Sequence, residues 1–338
     1  MNILVITSIA KHITPILQQI IKQANNNECK VLIVGDKKTG DLNSFGARFF
    51  NEQSQADLNF SILENLPWNS YSRKNLGYLE AMRAGAEWII ETDDDNIPSS
   101  DFFKISKNSQ IQVREVINQE WVNVYRYFGN EIAWPRGFPL ECIHGSRRKE
   151  IKTKDLALKD LGVIQVIADN DPDVDAIFRL TQVIPQTFSN DLPLKLPKGA
   201  VCPFNSQATW WNVNFAELMY FPSNISWRVA DIWRSYIATR ILQEFSSCVV
   251  FFGPLVVQDR NDHNLLLDFK EEITCYLEAK NIWEYLKTLD LSAHSSSLSE
   301  TLFFVYSKLA NQGFLPHTEL LILRNWIKDV STIREKVS

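Results

Sequence analysis

Ile3-Leu4-Val5-Ile6 is an unbroken apolar run ending in the polar pair Thr7-Ser8. Ile13, Ile16, Leu17, Ile20 and Ile21 then recur at helical spacing, behind Thr14 as a cap and Pro15 in the first turn, and Asn25-Asn26-Asn27 breaks the pattern. Val31-Leu32-Ile33-Val34 is a second unbroken run, closed by Gly35-Asp36. Ser72 is placed to cap a helix that reaches about Ala84 and is closed by Gly85, and Trp88-Ile89-Ile90 is the next strand. Unbroken rather than alternating strands, separated by helices, predict a parallel sheet covered on both faces. The β-α-β order is that of a doubly wound α/β domain, where ligands bind beyond the carboxyl ends of the strands. Thr7-Ser8, Gly35-Asp36 and Asp93–Asn96 should all lie on that edge.

From about Gln112 to His263 the chain reads as loop-rich and aromatic, the region of an acceptor side and a lid, with one further apolar strand at Val249–Val257. After Asn264 helical periodicity returns over Leu265–Leu289 and Ser299–Lys336, divided by Ser295-Ser296-Ser297. The division expected is a catalytic α/β domain over residues 1–264, with a mostly parallel sheet, and a helical C-terminal appendage over 265–338.

Composition narrows the function classes. The 338 residues are 45% hydrophobic, enough for a large core. A net charge of −5 argues against a nucleic-acid binder, which needs a basic face. Cys29, Cys142, Cys202, Cys248 and Cys275 are odd in number and widely spaced, with no Cys-x-x-Cys pair for zinc and no disulfide framework. The N-terminus enters a strand pattern at once rather than a signal-peptide pattern, and no window reaches the roughly 18 apolar residues of a membrane span. The expectation is a soluble cytoplasmic protein with no integral membrane segment; peripheral membrane contact stays open.

The candidate chemistry centres on Trp88–Asn96, where a buried run ends in Asp93-Asp94-Asp95-Asn96. Carboxylates this close raise one another's pKa unless a cation sits among them, and oxygen ligands suit Mg²⁺ or Mn²⁺. On an extended segment Asp93 and Asp95 project to one side as metal ligands, and Asp94 projects to the other, towards a ribose or a second donor. The bland alternative is an acidic, solvated turn. Ser72-Arg73-Lys74-Asn75 opens the preceding helix with cations where the dipole disfavours them, a conflict that a bound phosphate removes. Arg73, Lys74 and Asn75 are therefore donor-binding candidates, against a solvated basic turn. Asp36, Thr7 and Ser8 would face the nucleoside, although a lone Asp after Gly is also a turn former. Asp169–Asp175 is a second acidic cluster, without the glycine and terminal Glu of a calcium loop; it reads as a structural loop or a substrate contact. Asp231 is the candidate base for an acceptor hydroxyl, against a helix N-cap. His263 is a candidate late metal ligand or phosphate contact, against a structural role.

Leu32–Thr39, Ser72–Tyr78, Asp93–Asn96, Asp171–Ala176, Pro203–Gln207 and Asp231–Ile237, in that order, resemble the STELLO-type glycosyltransferase-like family. That resemblance implies a GT-A-like fold and a glycosyltransferase using a nucleotide-sugar, UDP-linked by preference, with Mn²⁺ or Mg²⁺ and a glycan or other hydroxyl acceptor. Plant members are Golgi-anchored; neither that location nor their role around cellulose synthesis is carried over. A more distant likeness, to reversibly glycosylated polypeptides that are UDP-arabinose mutases, rests on the Asp triplet and Arg136-Gly137-Phe138-Pro139. It implies that Arg136 is a self-glycosylation position or a substrate-binding cation. A UDP-sugar mutase is thus the second reading, and a non-catalytic nucleotide-sugar-binding scaffold the third.

Overall fold

The computed structural model describes residues 1–260 and 263–337. It opens with β1 (Asn2–Thr7), α1 (Pro15–Asn26) and β2 (Cys29–Val34), and the Thr14 side chain caps α1 by accepting from the Leu17 N–H at 3.1 Å. β3 (Ala47–Phe50), α2 (Glu52–Ala56), α3 (Lys74–Arg83), β4 (Trp88–Asp93) and β5 (Asn96–Pro98) follow. Next come β6 (Gln110–Val116), α4 (Val124–Tyr127), β7 (Ile151–Ala157), β8 (Leu161–Asn170), α5 (Ala176–Thr181), β9 (Leu194–Lys195) and β10 (Ala208–Asn212). The chain continues through α6 (Trp227–Glu244), β11 (Cys248–Gln258), α7 (Leu265–Thr288), α8 (Leu298–Asn311) and α9 (Glu319–Val337).

One sheet runs in the order β3-β2-β1-β4-β10-β8-β11-β9-β6-β7, with β5 paired to β11. β3, β2, β1 and β4 are mutually parallel, as the unbroken apolar runs predict, and β10 enters antiparallel between β4 and β8. Alternate residues of β1 serve opposite cores. Ile3 and Val5 join the layer of α3, α6 and the C-terminal helices, whereas Leu4 and Ile6 join the layer of α1, Phe102 and Phe103. A side chain at Gly77 would put its Cβ 2.4 Å from Val5 Cγ1, so glycine lets α3 lie close on the sheet.

Several local expectations are corrected. Ser72 does not cap α3: Ser70 caps a short 3-10 turn over Tyr71–Arg73, and α3 starts at Lys74. The middle of the chain is more regular than its loop-rich pattern suggests, for it supplies β6–β11 and the 18-residue α6. The helical stretch after Ser299 is two helices, divided at Gly313 and Pro316.

The α/β body and the helical C-terminal region share one hydrophobic core. Trp283, Leu286, Val305, Leu323 and Trp326 pack in the same cluster as Val163, Trp211 and Ile237. Polar contacts key the helices to the body. Asp329 accepts the Ser61 and Ile62 N–H groups at 2.7 and 2.8 Å, and Glu319 accepts those of Ser223 and Asn224, each at 2.8 Å. Among the described residues no helix is long and apolar enough to cross a membrane.

Candidate active site

The parallel register aligns the strand ends. Thr7 lies opposite Val34 on one side and Asp93 on the other, so the segments Thr7-Ser8, Gly35-Asp36 and Asp93–Asn96 emerge side by side. Two clefts open there. The first, of about 450 Å³, is lined by Thr7, Ser8, Asp36, Arg73 and Asp94. Thr7 Oγ1 is buried with no hydrogen-bond partner among the described residues. The Asp36 carboxylate accepts from the backbone N–H groups of Lys37, Asn69 and Ser70 at 2.6, 2.8 and 3.0 Å, and so fixes the loop at the cleft wall. These bonds are those of a turn former, and the turn borders the cleft.

The second cleft, of about 330 Å³, takes in Asp93, Asp94, Asp95, Asp231, Arg136 and His263. It shares Ile9, Tyr71, Asp94 and Trp227 with the first, so the two adjoin along these residues. Tyr71, whose ring stacks with Trp227 at 6.4 Å, donates its hydroxyl to Asp93, and Ser8 donates to Asp94. Lys74, fully buried, reaches Asp93 Oδ1 at 3.2 Å and the Ser206 carbonyl at 3.1 Å. Asp95 Oδ1 accepts from Asn96 at 2.9 Å. Burial, then the charges of Asp93 and Asp94, push the Asp95 carboxyl up to about 7. Burial raises Asp94 as well, against the Ser8 hydrogen bond.

Other donor-binding candidates are turned inward. Arg73 lines the first cleft, but its guanidinium donates to Gln55 Oε1 and, at 3.3 Å, to the Leu66 carbonyl, and lies 3.7 Å over the Trp68 ring. Asn75 is fully buried and pairs both amide atoms with the Phe221 backbone, at 2.9 and 2.8 Å. Arg73 thus forms part of the wall of the first cleft, and Asn75 ties α3 to the Phe221 backbone behind it.

Opposite the acids stands a buried charge triad. Arg136 donates Nε and Nη2 to Asp173 at 2.8 and 2.9 Å, and Nη1 and Nη2 to Asp231 at 3.0 and 2.8 Å. Its remaining Nη1 proton goes to the Arg228 carbonyl, so all five guanidinium N–H groups are engaged. Burial alone would raise the Asp173 carboxyl, but the Arg136 charge and hydrogen bonds hold it at about 2. Asp231 sits in the second turn of α6, whose N-cap is Ser226, which removes the N-cap alternative. Asn205 donates to Asp173 at 3.0 Å and Gln207 to Gln258 at 3.1 Å, which brings the Pro203–Gln207 block into the wall.

Helix α7 braces the rear. Glu272, fully buried, pairs with Arg228 and accepts the Ala176 N–H at 2.8 Å, at the start of the helix capped by Asp175. Asp268, one turn earlier, faces His263 Nδ1 at 3.1 Å and Arg260 at 3.4 Å. Burial and the Arg260 charge lower the His263 pKa, which keeps the imidazole neutral at neutral pH and leaves Nε2 as the nitrogen not facing Asp268. Among the described residues no three His, Cys, Asp or Glu side chains form a complete metal cage. A cation would therefore need oxygens from a ligand as well as from the acids.

Sequence reasoning missed Tyr71, Arg228, Gln258 and Arg260 as cleft residues, and Asp173 brings the Asp169–Asp175 cluster to the cleft. Asp173 and Gln207 lay within blocks already singled out for the family resemblance. Tyr71 adjoins the Ser72–Tyr78 block and Arg260 lies three positions before His263, yet no spacing rule distinguishes them.

Comparisons with known proteins bear on this geometry. The family model of STELLO glycosyltransferases matches residues 228–338, a span that crosses the 264/265 boundary and includes Arg228, Asp231, Asp268 and Glu272. The probable glycosyltransferase STELLO2 of Arabidopsis thaliana is 28% identical over 345 residues, covering 96% of this chain and 44% of that protein. The probable glycosyltransferase STELLO1 of the same plant is 27% identical over 348 residues, with 97% and 44% covered. The chain thus spans under half the length of the curated relatives it matches. Among solved structures, glucosyl-3-phosphoglycerate synthase from M. tuberculosis aligns with a TM-score of 0.41 at 10% identity, over 82% of this chain and 79% of that one. The resemblance carried by the residue blocks is found again by both sequence comparisons: along nearly its whole length, this chain is similar to STELLO glycosyltransferases.

Proposed function

We propose that the paired clefts bind a nucleotide-sugar, UDP-linked by preference, and transfer its sugar to a hydroxyl acceptor of the glycan class in a metal-dependent reaction. The observation that carries this reading is that the first cleft adjoins, through Asp94 and Tyr71, the cleft that holds the acids at the end of β4 and the buried Asp231. Asp93 and Asp95 are the candidate ligands of Mn²⁺ or Mg²⁺, with His263 in reach of the same cleft. One or two carboxylates suit such an ion when phosphates complete its shell, and a carboxyl raised to about 7 is one that a cation would relieve. Such an ion neutralises charge on a departing diphosphate.

The protein groups then divide the work. Thr7 offers its unpartnered hydroxyl to the nucleoside side, and Asp94 and Ser8 share the boundary between the clefts. Asp231 accepts the proton of the acceptor hydroxyl as its oxygen bonds to the anomeric carbon and the bond to the diphosphate breaks. Arg136 holds the Asp231 carboxylate in orientation through two hydrogen bonds. A cytoplasmic setting belongs to the same reading, supported by five free thiols.

Asp95→Asn is the direct test. It should remove Mn²⁺-dependent donor turnover, a loss of at least about a hundredfold, while raising the melting temperature of the metal-free protein at pH 8 by a few degrees, because one of three crowded charges is gone. Full turnover in that variant removes the metal assignment. The self-glycosylation alternative requires a free Arg136 nitrogen, and every N–H there is engaged. Incubation with UDP-sugars alone should leave the Arg136 peptide unlabelled by mass spectrometry; label on Arg136 would restore the mutase reading.

A further inference from the structure

Resting on the nucleotide-sugar reading above, the geometry points to Arg260 as the cation that receives the donor's diphosphate, oriented for it by Asp268 of α7. The charge balance creates the need. Three carboxylates against Lys74 leave two negative charges, which one divalent cation cancels. The diphosphate's own charge then needs further cations on the wall. Arg136 is consumed between Asp173 and Asp231, and Arg228 by Glu272. Arg73 keeps its charge, because Gln55 and the Leu66 carbonyl are neutral acceptors, but it lies over the Trp68 ring and lines the first cleft rather than the one that holds the three acids.

Arg260 differs from all of these. Its side chain is 6% exposed, yet among the described residues its nearest carboxylate oxygen, on Asp268, is 3.4 Å away and is shared with His263. Its Nε is buried and has no hydrogen-bond partner among the described residues. A buried guanidinium with an orphaned N–H and a distant counter-charge is under-satisfied, and the oxygens of a phosphate match its fork.

Position supports the assignment. β11 pairs antiparallel with β5, setting Gln258 opposite Asn96. The Asp259 N–H then donates to the Asp95 carbonyl at 3.2 Å. Arg260 follows immediately, so its backbone is clipped to the acidic tip and its side chain lines the same cleft. A cation at Asp95 and the Arg260 guanidinium would straddle one diphosphate.

The test is calorimetric titration of UDP, inorganic pyrophosphate and uridine onto the full chain with Mn²⁺, for wild type, Arg260→Gln and Arg260→Lys. Arg260→Gln should weaken UDP and pyrophosphate by about tenfold or more and leave uridine unchanged, since a hydrogen bond to a charged group is lost. Arg260→Lys keeps the charge without the fork and should fall between, which also serves if the Gln variant melts early. Unchanged UDP affinity in both variants, or a parallel loss of uridine, overturns the assignment. A wild type that binds UDP no better than uridine, with or without Mn²⁺, instead overturns the nucleotide-sugar reading beneath it.

Discussion

Arg136→Met is expected to lower the melting temperature at pH 7.5 by roughly 6–15 °C and to abolish transfer. Removing one partner of a buried ion pair costs about 3–5 kcal/mol, and here one guanidinium serves two carboxylates that are both nearly inaccessible. Its loss leaves Asp173 and Asp231 facing each other without a counter-charge. The variant should also acquire a distinctive pH dependence. In the wild type Asp173 is held at about 2, below its unfolded value near 3.9. Its contribution to stability is therefore present above the unfolded value and is lost as pH falls towards 2. In the variant the largest influence opposing burial is gone, leaving only the weaker Arg228 and Arg260 charges and the Asn205 hydrogen bond, and the carboxyl is expected to rise above the unfolded value. The folded state then takes up protons before the unfolded state does, and the penalty shrinks as pH falls. Melting curves at pH 7.5 and pH 5 should show the gap between variant and wild type narrowing. A gap that is small, or that stays constant with pH, means that the triad does not hold this charge.

The same residue explains why much of this site was hidden in the sequence. The strand-edge acids were legible because a short apolar run followed by three aspartates is a local pattern, and the parallel register needed only continuous strands to place Thr7 beside Asp93. Asp231 and Arg136 were identified by resemblance and by chemistry, but their pairing spans 95 positions, and no periodicity reports it. Arg73 looked unsatisfied from local sequence as a cation in a first turn, whereas Gln55, 18 positions away, and the Leu66 carbonyl take its hydrogen bonds while it still lines the first cleft. Ser72 looked like a cap because it precedes an apolar helix, but Ser70 closes a 3-10 turn first. β6 and β7 escaped because they are only partly buried, whereas β8, buried from Leu161 to Ala168, carries an apolar run that was not read as a strand. β7 is mainly exposed and charged, Ile-Lys-Thr-Lys-Asp, and gives no apolar run.

A chain ending at Asn264 is expected to be insoluble or to lack a cooperative melt, although the sequence pattern divides there. The helices beyond it fill a core shared with β8, β10 and α6, and their loss would expose Trp211, Ile237 and their neighbours over a large apolar area. The loss is also chemical. Glu272 neutralises Arg228 and satisfies the Ala176 N–H, Asp268 braces Arg260 and His263, and Glu319 and Asp329 satisfy backbone donors of the body. A single substitution isolates this effect from the lost surface. Glu272→Ala leaves the Arg228 guanidinium, 4% exposed, without its carboxylate, and should cost about 3–5 kcal/mol, seen as a fall in melting temperature of roughly 6–15 °C. Glu272→Gln keeps one oxygen for the Ala176 N–H and should lose less. Arg228 also lends its carbonyl to Arg136, so strain at Glu272 reaches the base through one residue. The Ala variant should accordingly lose turnover at temperatures well below its melt. A soluble 1–264 fragment that melts cooperatively and binds UDP with the affinity of the full chain would make the helices an appendage after all.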